Sequence, residues 1–160
     1  MIARLAQIAV LAVVATCWSA NDGVAQSRAG SPKDVAAIRA CAEKFVENIT
    51  EGERRCLFAL VADPCAKSRG GQGPTECYRI EQEIWDELLN ENFRTLREGL
   101  DDDQKEKLRD MQRAWIAYRN STCEFYYHKI QGSMSTPMTA ACLARETARR
   151  ALLLRFFQGL

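Results

Sequence analysis

The sequence predicts an all-α protein: a small, disulfide-stapled bundle of four to five helices, preceded by a cleaved signal peptide. Three observations predict it. Apolar residues recur at spacings of three and four through several segments, and no segment alternates apolar with polar residues as a strand would. Helix-starting and helix-breaking residues stand at the ends of those segments. Finally, six cysteines remain after residue 25, an even set suited to three disulfides.

The elements follow in chain order. Met1-Ile-Ala-Arg4 is a short positive start, Leu5 to Ala15 is apolar, and Gly23-Val24-Ala25 sets small residues before a cut after Ala25. That three-part layout predicts a secretory signal over 1–25. A retained span needs about 20 apolar residues, and this run is shorter and holds Gln7. The minor alternative is a lipoprotein anchored through Cys17, although Thr16 fits poorly just before a lipid-modified cysteine. Residues 26–31 form a flexible lead-in to a domain over 32–160.

Ser31-Pro32-Lys33-Asp34 reads as a helix start, with Ser31 as N-cap and Pro32 at the first helical position. Val35, Ile38, Cys41, Phe45 and Ile49 give that helix one apolar face, and Gly52 is its expected stop. A second helix is expected from Glu53 to about Ala62, ended by Asp63-Pro64, and 66–74 is expected to be a loop. A long helix over about Thr75–Glu98 carries a wide apolar stripe, including Ile80, Ile84, Trp85, Leu88 and Leu89. Asp101, answered by Gln104 three residues on, caps the next helix, which runs to about Ile130. Gln131-Gly132-Ser133 breaks it, and Thr136-Pro137 opens the last helix.

Composition bounds the function. The 160 residues suit one domain, and 22 basic against 21 acidic residues leave a formal charge of +1. Such a balance supplies no field for nucleic acid, which is excluded as a partner. No cofactor or metal is expected: there is no dinucleotide fingerprint, P-loop or H-E-x-x-H, and the single histidine, His128, has no cysteine at ligand spacing. His128 sits among Phe125, Tyr126 and Tyr127, a partly buried aromatic helix position rather than a catalytic base. No catalytic residue is assigned, and an unrecognised paired-carboxylate hydrolase is the least favoured reading.

Cys123 and Cys142 flank the Gly132 turn, so topology pairs them; Cys56–Cys65 and Cys41–Cys77 then pair by elimination among 15 arrangements. Gln112, Trp115, Arg119 and Cys123 share one helix face, while Asp86 and Asn90 are four apart on another helix. Arg119 and Asp86 are expected to meet as an interhelical polar clamp beneath Trp115, or to form the floor of a binding groove.

At these residues the chain resembles a known family. Cys56, Cys65 and Cys77 lead into Trp85-Asp86-x-x-Leu89-Asn90-x-x-Phe93, then Leu108-x-x-x-Gln112-Arg113-x-Trp115-x-x-Tyr118-Arg119-x-x-x-Cys123, then Cys142-x-x-x-x-Thr147-x-x-Arg150. The order resembles the LprI N-terminal-like domain family, exported bacterial domains named for a mycobacterial lysozyme inhibitor, over roughly 54–155. Phe93 departs from the family's usual Tyr, and 32–50 adds a helix outside the pattern. The resemblance implies a periplasmic or secreted, non-enzymatic binding protein whose partner is a lysozyme-type muramidase or another envelope protein. Its motif residues are Asp86, Asn90, Gln112, Trp115, Arg119, Thr147 and Arg150. The alternative is a structural or stress-related envelope domain without inhibitory activity. A basic muramidase would call for a local acidic patch, for which Glu81, Glu83, Glu87, Glu91 and Asp101–Asp103 are candidates.

Overall fold

The computed structural model describes residues 30–70 and 73–160; the expected signal over 1–25, with Cys17, and residues 26–29 of the lead-in lie outside them. Among the described residues there are six α-helices, one 3-10 turn and no strand. The fold class is all-α, with one or two more helices than the sequence predicts.

α1 (Pro32–Lys44) starts on a reciprocal cap: the Asp34 amide donates to Ser31 Oγ (3.3 Å), and the Ser31 amide donates to the Asp34 carboxylate (3.0 Å). It ends at Lys44, earlier than expected, because Asn48 opens a new helix by accepting from the Glu51 amide at 3.0 Å. That helix, α2 (Ile49–Cys56), holds Gly52 in its interior. Gly52 is therefore not a helix stop. A Cβ there would meet Leu152 Cδ1 and Phe45 Cβ, both at 3.3 Å, so the missing side chain lets α2 approach α6 closely.

Asp63-Pro64 begins a helix where the sequence predicts an end. α3 (Ala62–Ser68) takes both residues into its first turn, where a proline has no hydrogen bond to break. The expected loop over 66–74 shortens accordingly. α4 (Pro74–Glu98) follows Gly73, whose φ of +76° suits glycine. α5 (Asp102–Ile130) starts on the predicted cap, with Gln104 N–H to Asp101 Oδ1 at 2.8 Å and Asp101 N–H to Gln104 Oε1 at 3.0 Å. Gln131 and Gly132, both at positive φ, turn the chain into α6 (Ser135–Phe157).

α6 is the axis of the bundle: α2, α4 and α5 all pack against it. It is buried on several sides, so its sequence lacks a strong one-sided apolar stripe. Ala140, Ala141, Ala144, Ala148 and Ala151 are buried along it, and these small side chains admit neighbouring backbones closely. Around it gather Ile38, Ile84, Trp85, Leu88 and Leu89, packed with its own Leu152 and Leu154 in one core. Each large side chain so buried contributes roughly 1.5–3 kcal/mol.

The described cysteines form three disulfides: Cys41–Cys56, Cys65–Cys77 and Cys123–Cys142. The last is the pairing that topology predicts. The elimination pairing of Cys56 with Cys65 and Cys41 with Cys77 is corrected. Cys56 and Cys65 lie on separate helices with different neighbours: α2 packs on α1, and α3 packs on α4.

One buried carboxylate shapes the α2–α3 connection. Glu81 of α4 is fully buried and accepts from the Phe58 amide (2.7 Å), the Ala62 amide (2.9 Å) and Trp85 Nε1 (3.2 Å). It holds Phe58 at φ +65°, a left-handed conformation that costs a non-glycine residue about 1–2 kcal/mol. Burial pushes the Glu81 carboxyl above its ordinary range, against the pull of these three donors.

Candidate functional site

The motif residues converge in part, on the seam between α5 and α6. Gln112, Trp115 and Arg119 rise along α5 at helical spacing, and Arg150 meets Gln112 and Trp115 from α6, three residues after Thr147. Arg150 is 5% exposed, and its Nε donates to Gln112 Oε1 at 2.8 Å. Its guanidinium carbon stands over the Trp115 ring at 5.6 Å, and that of Arg119 at 4.9 Å. The indole thus meets two cations. Thr147, fully buried, donates to the Leu143 carbonyl of its own helix at 2.7 Å, which satisfies its hydroxyl inside α6.

The electrostatics of this seam are uneven. Arg149 and Arg155, on the same helix, are paired with carboxylates: Arg149 with Glu53 (2.7 Å) and Glu146 (3.2 Å), Arg155 with Glu43 (2.9 Å). Their acidic partners hold both guanidinium pKa values above the ordinary. Arg150 has no carboxylate partner among the described residues, and its Nη2 is buried without a hydrogen-bond acceptor. Burial pushes its pKa down. A guanidinium out of water and without a counter-ion is unfavourable by several kcal/mol before the indole and Gln112 offset part of it.

The expected Asp86–Arg119 clamp does not form. Asp86 accepts from Asn90 Nδ2 on its own helix at 3.0 Å. Arg119 turns Nε and Nη2 to Asn120 Oδ1, at 3.2 and 3.1 Å. The reason is architectural: α4 and α5 each make their main contact with α6 rather than with one another. The interhelical link is Gln112 to Arg150 instead. Both belong to the motif, but helical spacing alone does not indicate which side chains meet across a seam.

Of the residues expected to form an acidic patch, Glu81 is buried in the core, Glu91 is bridged to Arg39 and Asp101 is occupied as a helix cap, whereas Glu87, Asp102 and Asp103 stand exposed. His128 is also corrected: it is exposed on α5, with Glu124 at 3.8 Å and Tyr127 edge-on beside it. Tyr118, Phe125 and Tyr127 stand more than half exposed along the same helix. At the α4–α5 turn lies an apolar recess of about 540 Å³ lined by Leu96, Leu100, Leu108, Met111, Phe157 and Leu160. No group of three or more metal-ligand side chains gathers among the described residues.

No curated protein and no solved structure matches the chain. The family model described as lysozyme inhibitor LprI matches residues 65–154. That segment holds Cys65, Cys77, Cys123 and Cys142, the α5–α6 seam, and all seven motif residues from Asp86 to Arg150. The match spans more than half of the sequence, and the chain belongs to the lysozyme inhibitor LprI family.

Proposed function

We propose that this protein is an exported, non-enzymatic binding protein, periplasmic or secreted, that restrains a lysozyme-type muramidase. Membership of the lysozyme inhibitor LprI family carries the reading. Two physical features support it. Three disulfides constrain the described helices, and a scaffold held in its bound shape loses little entropy on association. Disulfides also persist in oxidising compartments outside the cytoplasm. No helix among the described residues is long and apolar enough to cross a membrane.

The contact surface in this reading is α5. Its exposed Tyr118, Phe125 and Tyr127, with Trp115 and Arg119, are the residue types that anchor protein–protein interfaces. The test is lysis of bacterial cell walls by lysozymes of several classes, with and without the oxidised protein. Slowed lysis at near-stoichiometric concentration is the expected result. Undiminished lysis at large molar excess across all classes would refute the muramidase reading and favour a structural envelope domain.

A further inference from the structure

We propose that Arg119 and the buried Arg150, each standing over the Trp115 ring at the α5–α6 seam, form a carboxylate-binding site that receives an acidic side chain of a partner protein. The inference rests on the reading of this chain as a binding protein, not on a muramidase being the partner. Three observations carry it. First, Arg150 is a cation without a counter-ion: Arg149 and Arg155 on the same helix are both carboxylate-paired, whereas Arg150 Nη2 is buried with no acceptor. Second, Gln112 and the Trp115 ring fix the guanidinium in place, so it is not free to swing out to water. Third, Arg119 stands on the same indole and is only partly buried, which gives the seam an outward-facing donor.

The two arginines divide the work. Arg119 spends its Nε side on Asn120 Oδ1, leaving the Nη1–Nη2 edge to match the two oxygens of a carboxylate. Arg150 acts through its charge: in a low-dielectric seam that field is weakly screened, and an anion seated on Arg119 supplies the missing counter-charge. Trp115 gives the ligand's aliphatic stem an apolar surface. A planar, singly charged carboxylate suits this flat arrangement better than a tetrahedral phosphate, which takes more donors than the seam offers. The binding free energy then includes partial relief of the buried cation, which a solvent-exposed arginine cannot provide.

The test uses the purified, oxidised protein labelled with 15N, following the Trp115 indole N–H signal, assigned with Trp115→Phe. Tetraglutamate is the probe, at ionic strength held constant with chloride; acetate, inorganic phosphate and tetralysine are the comparators. A saturable shift of the Trp115 signal by tetraglutamate is expected, weakened at least about tenfold in Arg119→Gln and in Arg150→Met, a loss of about 1.4 kcal/mol. Arg109→Gln, an equal charge change elsewhere on α5, leaves the shift intact. Saturation by acetate as well identifies any accessible carboxylate as ligand, whereas response to tetraglutamate alone identifies a peptide-borne one; either supports the site. No shift, an unchanged shift in Arg119→Gln, or an equal response to phosphate or tetralysine would overturn it. Because Arg150→Met alters a buried residue, its melting temperature is read alongside, and Arg119→Gln decides if that variant is unfolded. Tetraglutamate binding together with undiminished lysozyme activity would keep the site and discard the muramidase; lysozyme inhibition without tetraglutamate binding would do the reverse.

Discussion

Replacing Glu81 by glutamine tests the least expected structural feature of this domain. The carboxylate accepts three hydrogen bonds, from Phe58 N–H, Ala62 N–H and Trp85 Nε1, and the side chain is fully buried. A glutamine of the same shape presents one oxygen and one NH2 group. Whichever way the amide turns, at least one backbone N–H faces a donor. Stranding a buried donor costs about 1–3 kcal/mol. Any relaxation of the left-handed Phe58, no longer pinned, returns part of its about 1–2 kcal/mol of strain and reduces the loss. Relief of the carboxylate's own desolvation likewise offsets part of the stranded-donor cost. The expected net loss for Glu81→Gln is therefore about 1–2 kcal/mol, read as a lower denaturant midpoint at unchanged slope, with disulfides intact.

The pH dependence sharpens this test. Burial raises the Glu81 carboxyl, so between its unfolded and folded pKa values the folded state binds more protons than the unfolded. Stability from this group is then greatest in acid and declines as pH rises through the carboxylate range and just above it. Glu51 has the opposite sign: Arg54 and Arg55 hold it down to about 2, so its contribution is lost only as pH falls toward that value. Glu51 is common to both proteins and cancels in their difference. The gap between wild type and Glu81→Gln should narrow from pH 4 to pH 7. A gap that stays flat or widens, or a loss below about 0.5 kcal/mol, would refute the reasoning.

Other outcomes follow from the same geometry. Removing Cys123–Cys142 by the double serine variant opens a crosslink of sequence separation 19 and should cost about 3 kcal/mol in chemical denaturation; an unchanged midpoint would contradict a structural staple. Non-reducing peptide mapping should recover Cys41–Cys56 and Cys65–Cys77, and a Cys56–Cys65 peptide would contradict the separation of α2 from α3. Arg119→Ala should alter stability by less than about 0.5 kcal/mol, whereas Trp115→Ala should cost roughly 3 kcal/mol by leaving a cavity beneath two cations. Equal losses in those two variants would show that Arg119 is a structural clamp after all.

The helices that were legible in the sequence are those whose ends carry their own chemistry. Ser31 as an N-cap and Asp101 with Gln104 are local devices, and both form as expected, with Asp34 closing the Ser31 cap reciprocally as a further contact. Pro64 and Gly52 misled because each has two meanings. A proline that ends one helix also fits the first turn of the next, and a glycine that stops a helix also permits close packing; only the neighbour decides. For Gly52 that neighbour is Leu152, a hundred residues away. The central role of α6 was hidden for a related reason. A helix covered on several sides loses the one-sided stripe that periodicity detects, and its run of buried alanines was the available signal. The candidate site was legible as a set of residues but not as a set of contacts. Arg119 and Asp86 share the motif, yet α6 takes the main contacts of both their helices, and Arg150 takes the place assigned to Arg119.

That exchange of roles matters for function. Arg149 and Arg155 join α6 to Glu53 of α2 and Glu43 of α1, so their charges are used within the fold. Exposed or half-exposed pairs of this kind contribute about 0–1 kcal/mol each, and they tie the two N-terminal helices, which lie outside the matched segment, onto α6. Arg150 points the other way, toward α5, and is given an amide oxygen and an indole face but no carboxylate. A hydrophobic side chain would fill the same volume without desolvating a charge, and such replacements are often neutral or stabilising. Stability alone therefore does not account for an arginine at this position. A charge that is held rigid, poorly compensated and one aromatic ring away from an accessible second arginine is instead what a surface needs if it is to discriminate acidic partners from neutral ones.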